Sequence, residues 1–366
     1  MGVTLTGSNT VPAVRLSQGP AAGATELARA TGLQFASHER NPPLSSAHQW
    51  NFNLQREFGQ DWLIEAGYSG SRGLHLVRLY DANFSPAGGG TIDAKRTYTR
   101  LPIPGTSIVA SPLGPVYGQR YNGNSIYHAM IAKVEKRFSR GLTLLSSYTW
   151  SKNIGDTCGS SVQGNATGCG FRNLFNLRPE RSLDNQDVPH RFVTSALADL
   201  PFGKGRAYMS GANPVANAVL GGWTVGSIVT MSSNVPYSPT VQGNPANTGT
   251  YTVVQRPNVV GDPNSGQRTL QRDFNVDALV RPANFTYGTA GRNILRQRAH
   301  FNWDFSALKS FQLMERIRLQ FRFEGFTLSN TPRFGAPGNV VGTAAFGVIT
   351  SAGTPRNLQF GLKLIW

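Results

Sequence analysis

Apolar and polar residues alternate along nine separate runs of this chain, with the two-residue period of a β-strand. In 47–57, Trp50, Phe52 and Leu54 take one face and Asn51, Asn53, Gln55 and Glu57 the other. In 61–79, Trp62, Ile64, Ala66 and Tyr68 stand opposite Glu65, Gly67 and Ser69. Runs 127–138 and 141–151 follow, and in the second Leu142, Leu144, Tyr148 and Trp150 oppose Thr143, Ser147 and Thr149. Runs 190–200 and 221–232 precede 300–311, where Phe301, Trp303 and Phe305 oppose Asn302, Asp304 and Ser306. In 316–328, Ile317, Leu319, Phe321 and Phe323 oppose Arg316, Arg318, Gln320, Arg322 and Glu324. The last run, 356–366, sets Leu358, Phe360, Leu362, Leu364 and Trp366 against Asn357, Gln359, Gly361 and Lys363, with Ile365 the exception. The pattern predicts an all-β chain of antiparallel strands.

The connections between runs alternate in length. Residues 58–60, 139–140 and 312–315 are short links, whereas 80–126, 152–189, 233–299 and 329–355 are long. A sandwich has no reason to gather its long loops at one end, but a transmembrane β-barrel does, with short periplasmic turns and long extracellular loops. The linker 201–220 breaks the alternation. The final run fits a tilted membrane-crossing strand of about 9–11 residues. It is expected to be the terminal assembly strand, with outer-membrane lipid against its apolar face and the barrel-assembly machinery as a partner. A bilayer-facing Arg or Lys costs about 2–4 kcal/mol at the midplane, so Arg316, Arg318, Arg322 and Glu324 are expected to face the lumen. Trp50, Trp62, Tyr148, Trp150, Trp223, Trp303 and Trp366 recur near run ends, as the aromatic girdles of a barrel would. An edge strand of a soluble sandwich is the competing reading of the last segment.

Composition changes this picture little. The 41 Gly and 22 Pro of the 366 residues fall mostly between runs, where turns are needed. Mean hydropathy is −0.26, and no run of about 18 apolar residues offers a helical membrane span. The net charge of +16 raises nucleic acid as a partner, but the 35 Lys and Arg are dispersed. A basic lumen or loop face that attracts anions explains them as well. Cys158 and Cys169, in a Gly/Ser/Asn-rich stretch, are candidates for a loop disulfide. The six His (38, 48, 75, 128, 190 and 300) lack metal-ligand spacing, and no cofactor motif is present. Gly67-Tyr68-Ser69-Gly70-Ser71 lacks the final glycine of a nucleophile elbow. Asp187-Val188-Pro189-His190-Arg191 reads either as a proton relay or, much better, as a loop-to-strand junction pinned by an ion pair. Met1-Gly2-Val3-Thr4-Leu5 does not read as a secretory signal. Residues 1–46 read as a partial loop or strand ahead of the barrel segment 47–366.

A set of short segments carries a family resemblance. They are Glu65-Ala66-Gly67-Tyr68-Ser69-Gly70-Ser71-Arg72-Gly73, Val134-Glu135-Lys136-Arg137-Phe138-Ser139-Arg140-Gly141-Leu142 and Ser147-Tyr148-Thr149-Trp150-Ser151-Lys152. His190-Arg191-Phe192, Leu200-Pro201-Phe202-Gly203, Gly221-Gly222-Trp223, Asn302-Trp303-Asp304 and Phe321-Arg322-Phe323-Glu324-Gly325-Phe326-Thr327-Leu328-Ser329-Asn330 complete it. In this order and spacing they resemble the C-terminal barrel of TonB-dependent outer-membrane receptors, nearest the Oar-like branch, whose full-length members carry a carboxypeptidase-regulatory-like domain before the plug. The resemblance implies a barrel of about 22 strands filled by a plug, with transport of a small ligand driven through a TonB box by the inner-membrane motor. The chain departs from that pattern in showing no signal, regulatory domain, plug, TonB box or first half of the barrel. The expectation is therefore a fragment of a longer parent, supplying barrel wall and substrate-facing extracellular loops, with no enzymatic role. The tyrosines and arginines of 80–126 and 233–299 are the candidates for contact with the unknown ligand. A non-energised porin or adhesin barrel, and less readily a soluble β-rich binding protein, are the alternatives.

Overall fold

The computed structural model describes residues 3–4, 34–98, 114–157, 170–249 and 253–366. Nine strands form its frame: β1 (Ser46–Phe58), β2 (Trp62–Asp81), β3 (Val116–Ser139), β4 (Leu142–Gly155), β5 (His190–Asp199), β6 (Trp223–Ser232), β7 (His300–Gln312), β8 (Arg318–Phe326) and β9 (Asn357–Ile365). Each pairs antiparallel with the next in the chain. This all-antiparallel meander is the one the alternation predicts. Gln34–His38 adds a short parallel ladder to the start of β3. Among the described residues β1 pairs only with β2 and β9 only with β8, so the wall has two open edges.

The short turns follow local chemistry. Arg140 and Gly141 both have positive φ, 50° and 78°. That is the two-residue hairpin whose twist matches the flanking strands. Gly59 supplies the left-handed residue between β1 and β2, at φ 62°. The longer link after β5 contains a helix, α1 (Pro214–Leu220), and this accounts for its length. Asn213 caps α1, its side chain accepting from the Ala216 N–H at 2.7 Å. The Trp223 indole N–H donates to the Val219 carbonyl at 2.8 Å, and the Lys309 ammonium donates to the Gly221 carbonyl.

β2 runs to 20 residues, within two of the expected 61–79 at each end, whereas β3 runs to 24, well past the expected 127–138. The stretch before 127 is polar and glycine-rich, so it lacks the alternation that would have marked it as strand. Both exceed the roughly 9–11 residues with which a tilted strand would cross a membrane. The extension begins at a register break between Gly73 and Val77, where His75 takes φ 54°.

Register places one apolar face along the whole wall. A single cross-strand row reads Phe52, Tyr68, Met130, Trp150, His190. At the other end Phe323 lies opposite Phe360, and Phe321 opposite Leu362. These side chains cover no core: Phe360 is 68% and Leu362 72% exposed. The buried apolar cluster lies instead in the loops, around Phe274, Leu279 and Leu295, with Tyr237, Val276 and Phe346 packed on it. No helix among the described residues is long and apolar enough to cross a membrane.

Candidate functional site

All four long connections (82–115, 156–189, 233–299 and 327–356) leave the same end of the wall, and their described parts interlock into a canopy. Small ladders stitch them together. Pro236–Tyr237 pairs with Leu295–Arg296, Thr240–Val241 runs parallel to Val340–Val341, and Asn258–Val259 pairs with Leu279–Val280. Irregular backbone carries many orphan carbonyls and N–H groups, which must find partners when buried. Here arginines and carboxylates supply them. Arg292 is 2% exposed and donates to the Gly155 carbonyl at 2.6 Å, the Thr157 carbonyl and the Ser182 hydroxyl. Arg256, fully enclosed, reaches Glu180 at 2.5 Å and the Gly170 carbonyl at 3.0 Å. Glu180 also accepts from the Arg172 backbone N–H. Arg268 and Arg298 both grip Asp273. Burial pulls the Arg292 guanidinium below its ordinary pKa. Burial first, and Arg256 second, do the same to Arg172. Burial, reinforced by Asp273, pushes the Tyr237 phenol up, so it stays protonated.

These contacts redistribute the expected ligand-contacting residues. Arg256, Arg268, Arg292, Arg296 and Arg298 of 233–299 all bind the canopy's own carboxylates or carbonyls. In 80–126 the surface differs. Arg120 stacks over the Tyr80 ring at 4.3 Å, and Phe84 meets Phe175 at 5.4 Å. With Arg78, Asn122 and Phe171 they line a cleft of about 90 Å³ where β2 and β3 emerge into the loops. Phe175, absent from the expectation, is 64% exposed at its mouth. It sits in an unpatterned loop, so nothing in the sequence distinguished it.

Below the canopy the second face of the wall is polar. Asn53, Gln55 and Glu65 lie on it with Lys133 and Glu135, and charges of opposite sign sit side by side. Lys133 approaches Glu135 at 3.2 Å, and Gln55 donates to Glu65 at 2.9 Å. Arg318, Arg322 and Glu324 share this face, and Arg322 contacts Glu324 at 3.1 Å. Arg316 does not lie on a strand; it sits in the turn between β7 and β8. Leu358, Phe360, Leu362 and Leu364 line the apolar face of β9, with Trp366 one residue past its end. Cys158 and Cys169 lie outside the described residues.

The Asp187–Arg191 motif is split by the fold. Asp187 is buried and pairs with Arg296 at 2.6 Å, not with its neighbour Arg191. The His190 Nδ1 lies 2.8 Å from the Tyr148 hydroxyl, on the apolar face. Acid and imidazole have separate partners, which is a pinned junction and no relay. Among the described residues no group of His, Cys, Asp or Glu could hold a metal ion.

A family model described as "Outer membrane beta barrel domain" matches residues 2–359. No curated protein matches the chain. Among solved structures it is similar to the outer membrane transporter YddB from Escherichia coli, at 8% identity and a TM-score of 0.40, over 91% of this chain and 34% of that one. The chain thus spans about a third of that transporter's length.

Proposed function

Because the chain belongs to the outer membrane beta barrel domain family, we propose that it forms wall and extracellular loops of a TonB-dependent, Oar-like transporter. The observation that supports this best is the asymmetry of the wall. One face is apolar from β1 to β9, the other is polar, and every long connection gathers at one end. Lipid meets the apolar face, water and a plug meet the polar one, and the canopy meets ligand outside the cell. The Arg120–Tyr80 stack with the exposed Phe175 is the ligand-contacting surface, and the buried Phe84 ring backs Phe175. Its chemistry suits a small anionic or aromatic molecule, bound by a guanidinium and ring faces. The open edges of β1 and β9 require further strands, because lipid does not tolerate unpaired backbone. In this reading a longer parent supplies them, together with a plug and a TonB box. The role is transport, with no chemical step.

Nutrient-limited growth of cells with and without the gene, each with the inner-membrane motor intact or disabled, tests the reading. Uptake that needs both gene and motor is expected. Uptake that persists without the motor overturns TonB dependence and leaves a non-energised barrel.

A further inference from the structure

The apolar face carries a feature that lipid tails do not explain. Near the loop end, five consecutive strands each place one basic side chain on it: His48 on β1, Arg72 on β2, His128 on β3, Lys152 on β4 and His190 on β5. His48 is directly opposite Arg72, and His128 directly opposite Lys152. Arg72 is two residues from Gly70, the partner of His128, and Lys152 is two residues from Trp150, the partner of His190. Each step is therefore a direct or a diagonal neighbour, within about 8 Å. All five are exposed. No Asp or Glu occurs on this face where β1 to β5 share register, and no described carboxylate forms an ion pair with Arg72 or Lys152.

Directly beneath the row lies an aromatic layer of Trp50, Tyr68, Tyr148 and Trp150. Two of its hydroxyls orient imidazoles: Tyr68 to His128 Nδ1 at 2.7 Å and Tyr148 to His190 Nδ1 at 2.8 Å. Both ring pairs are stacked. A cleft of about 440 Å³ runs beside them, lined by Tyr68, His128, Met130, Trp150 and Lys152. At one end the cleft meets the mutually neutralised Asp187–Arg296 pair.

We propose that this row binds the phosphates of the outer-leaflet glycolipid of the bacterial outer membrane. Three observations select that occupant. The row continues the lipid-facing surface of the wall, so a lipid is already its neighbour. It lies just above an aromatic layer, the level at which headgroups begin. It places the Arg72 and Lys152 cations there among three imidazoles, with no counter-charge from the described residues of this face, which favours a phosphorylated headgroup. The cleft's ring and thioether walls suit the first methylenes of an acyl chain. The inference rests on the wall's orientation in the membrane and is independent of what the protein transports.

The test uses full-length protein extracted from its native outer membranes. Thermal unfolding is followed during titration with a diphosphoryl glycolipid, its dephosphorylated form, and phosphatidylglycerol. The diphosphoryl form is expected to bind at least about tenfold more tightly than either of the others, and R72Q/K152Q to abolish that preference. Equal binding of the dephosphorylated form, or an unchanged preference in R72Q/K152Q, overturns the proposal. Equal binding of phosphatidylglycerol overturns the choice of glycolipid. Should R72Q/K152Q fail to assemble, H128Q/H190Q and the three lipids on the unaltered protein decide the matter. Motor-dependent uptake is read separately, so failure here leaves the transport reading standing.

Discussion

The wall and the canopy are stabilised in opposite ways. In the wall, backbone ladders satisfy every interior strand and the large apolar side chains point outward, with Phe360 and Leu362 mostly exposed. In the canopy the apolar cluster is small, and the largest fully buried side chains include Arg256, Arg292 and Glu180 beside Leu295. Water explains the difference. A wall seated in lipid needs no core, because lipid takes the apolar face. A canopy standing in water has long irregular backbone to satisfy, and enclosed guanidinium groups bind its carbonyls and carboxylates: Arg292 the Gly155 and Thr157 carbonyls, Arg256 the Gly170 carbonyl and Glu180. The same residue type therefore has opposite meanings: an arginine is costly on the outward face of β9 and indispensable between the loops.

The largest expected effect separates the two regions most sharply. Glu180→Ala leaves Arg256 enclosed and charged without its carboxylate, a loss of about 3–5 kcal/mol for a broken buried pair. Segments 171–189 and 253–299 should become protease-sensitive while β1–β9 stay protected. Hydrogen exchange read strand by strand checks this. Simultaneous loss of protection in the wall would show that canopy and wall are one cooperative unit.

Next comes the lipid face. Leu362→Arg places a charge near the middle of β9 and should cost about 2–4 kcal/mol of stability in a bilayer. Gln359→Arg, on the opposite face, should cost little. Denaturant titration of both variants in vesicles compares them. Equal penalties would mean that both faces are dry.

The contrast also explains what could be read from the sequence. The wall is written in short-range terms: a residue's face is fixed by its parity, as in Trp62, Ile64 and Ala66 or Leu358, Phe360 and Leu362, so nine strands and their neighbours were legible. The exceptions are informative. The first part of β3, from Val116, packs against polar residues such as Asp81 and Arg78, not against a uniform apolar medium, and therefore shows no alternation. The helix α1 is seven residues long and too short to show a helical period. The canopy was not legible because its contacts span the chain. Arg256 is 76 residues from Glu180, and Arg292 is 137 from Gly155. Nothing near Arg292 in sequence marks it as a structural bolt and not a ligand contact.

A smaller effect tests packing within the wall. Gly70 lies opposite Trp50, and a Cβ there would stand 2.3 Å from the indole ring. Gly70→Ala should push Trp50 off its seat, away from the Tyr68 hydroxyl, at a cost of about 1–3 kcal/mol. Quenching of Trp50 fluorescence by brominated lipids should change in the variant; unaltered quenching would mean that the ring does not rest on the glycine.

The smallest expected effect is on the polar face, and its sign carries the information. Arg322 and Glu324 touch at 3.1 Å, with the arginine side chain 56% exposed. Exposed pairs of this kind contribute about 0–1 kcal/mol. If water fills the lumen beside β8, Arg322→Gln should shift stability by no more than that, and the shift should shrink further in salt. If lipid lay against this face, the substitution would remove a charge from a medium that penalises it by about 2–4 kcal/mol, and the variant would be distinctly more stable. Phe321, the neighbour on the other face, gives the converse. Phe321→Gln should destabilise the wall by several times the Arg322→Gln change, because it withdraws a ring from lipid and from its contacts with Trp223 and Phe360 at 5.9 and 6.4 Å. A stabilised Arg322→Gln paired with a tolerated Phe321→Gln would invert the wall, and the basic row on β1 to β5 would then face the lumen together with the rest of that surface.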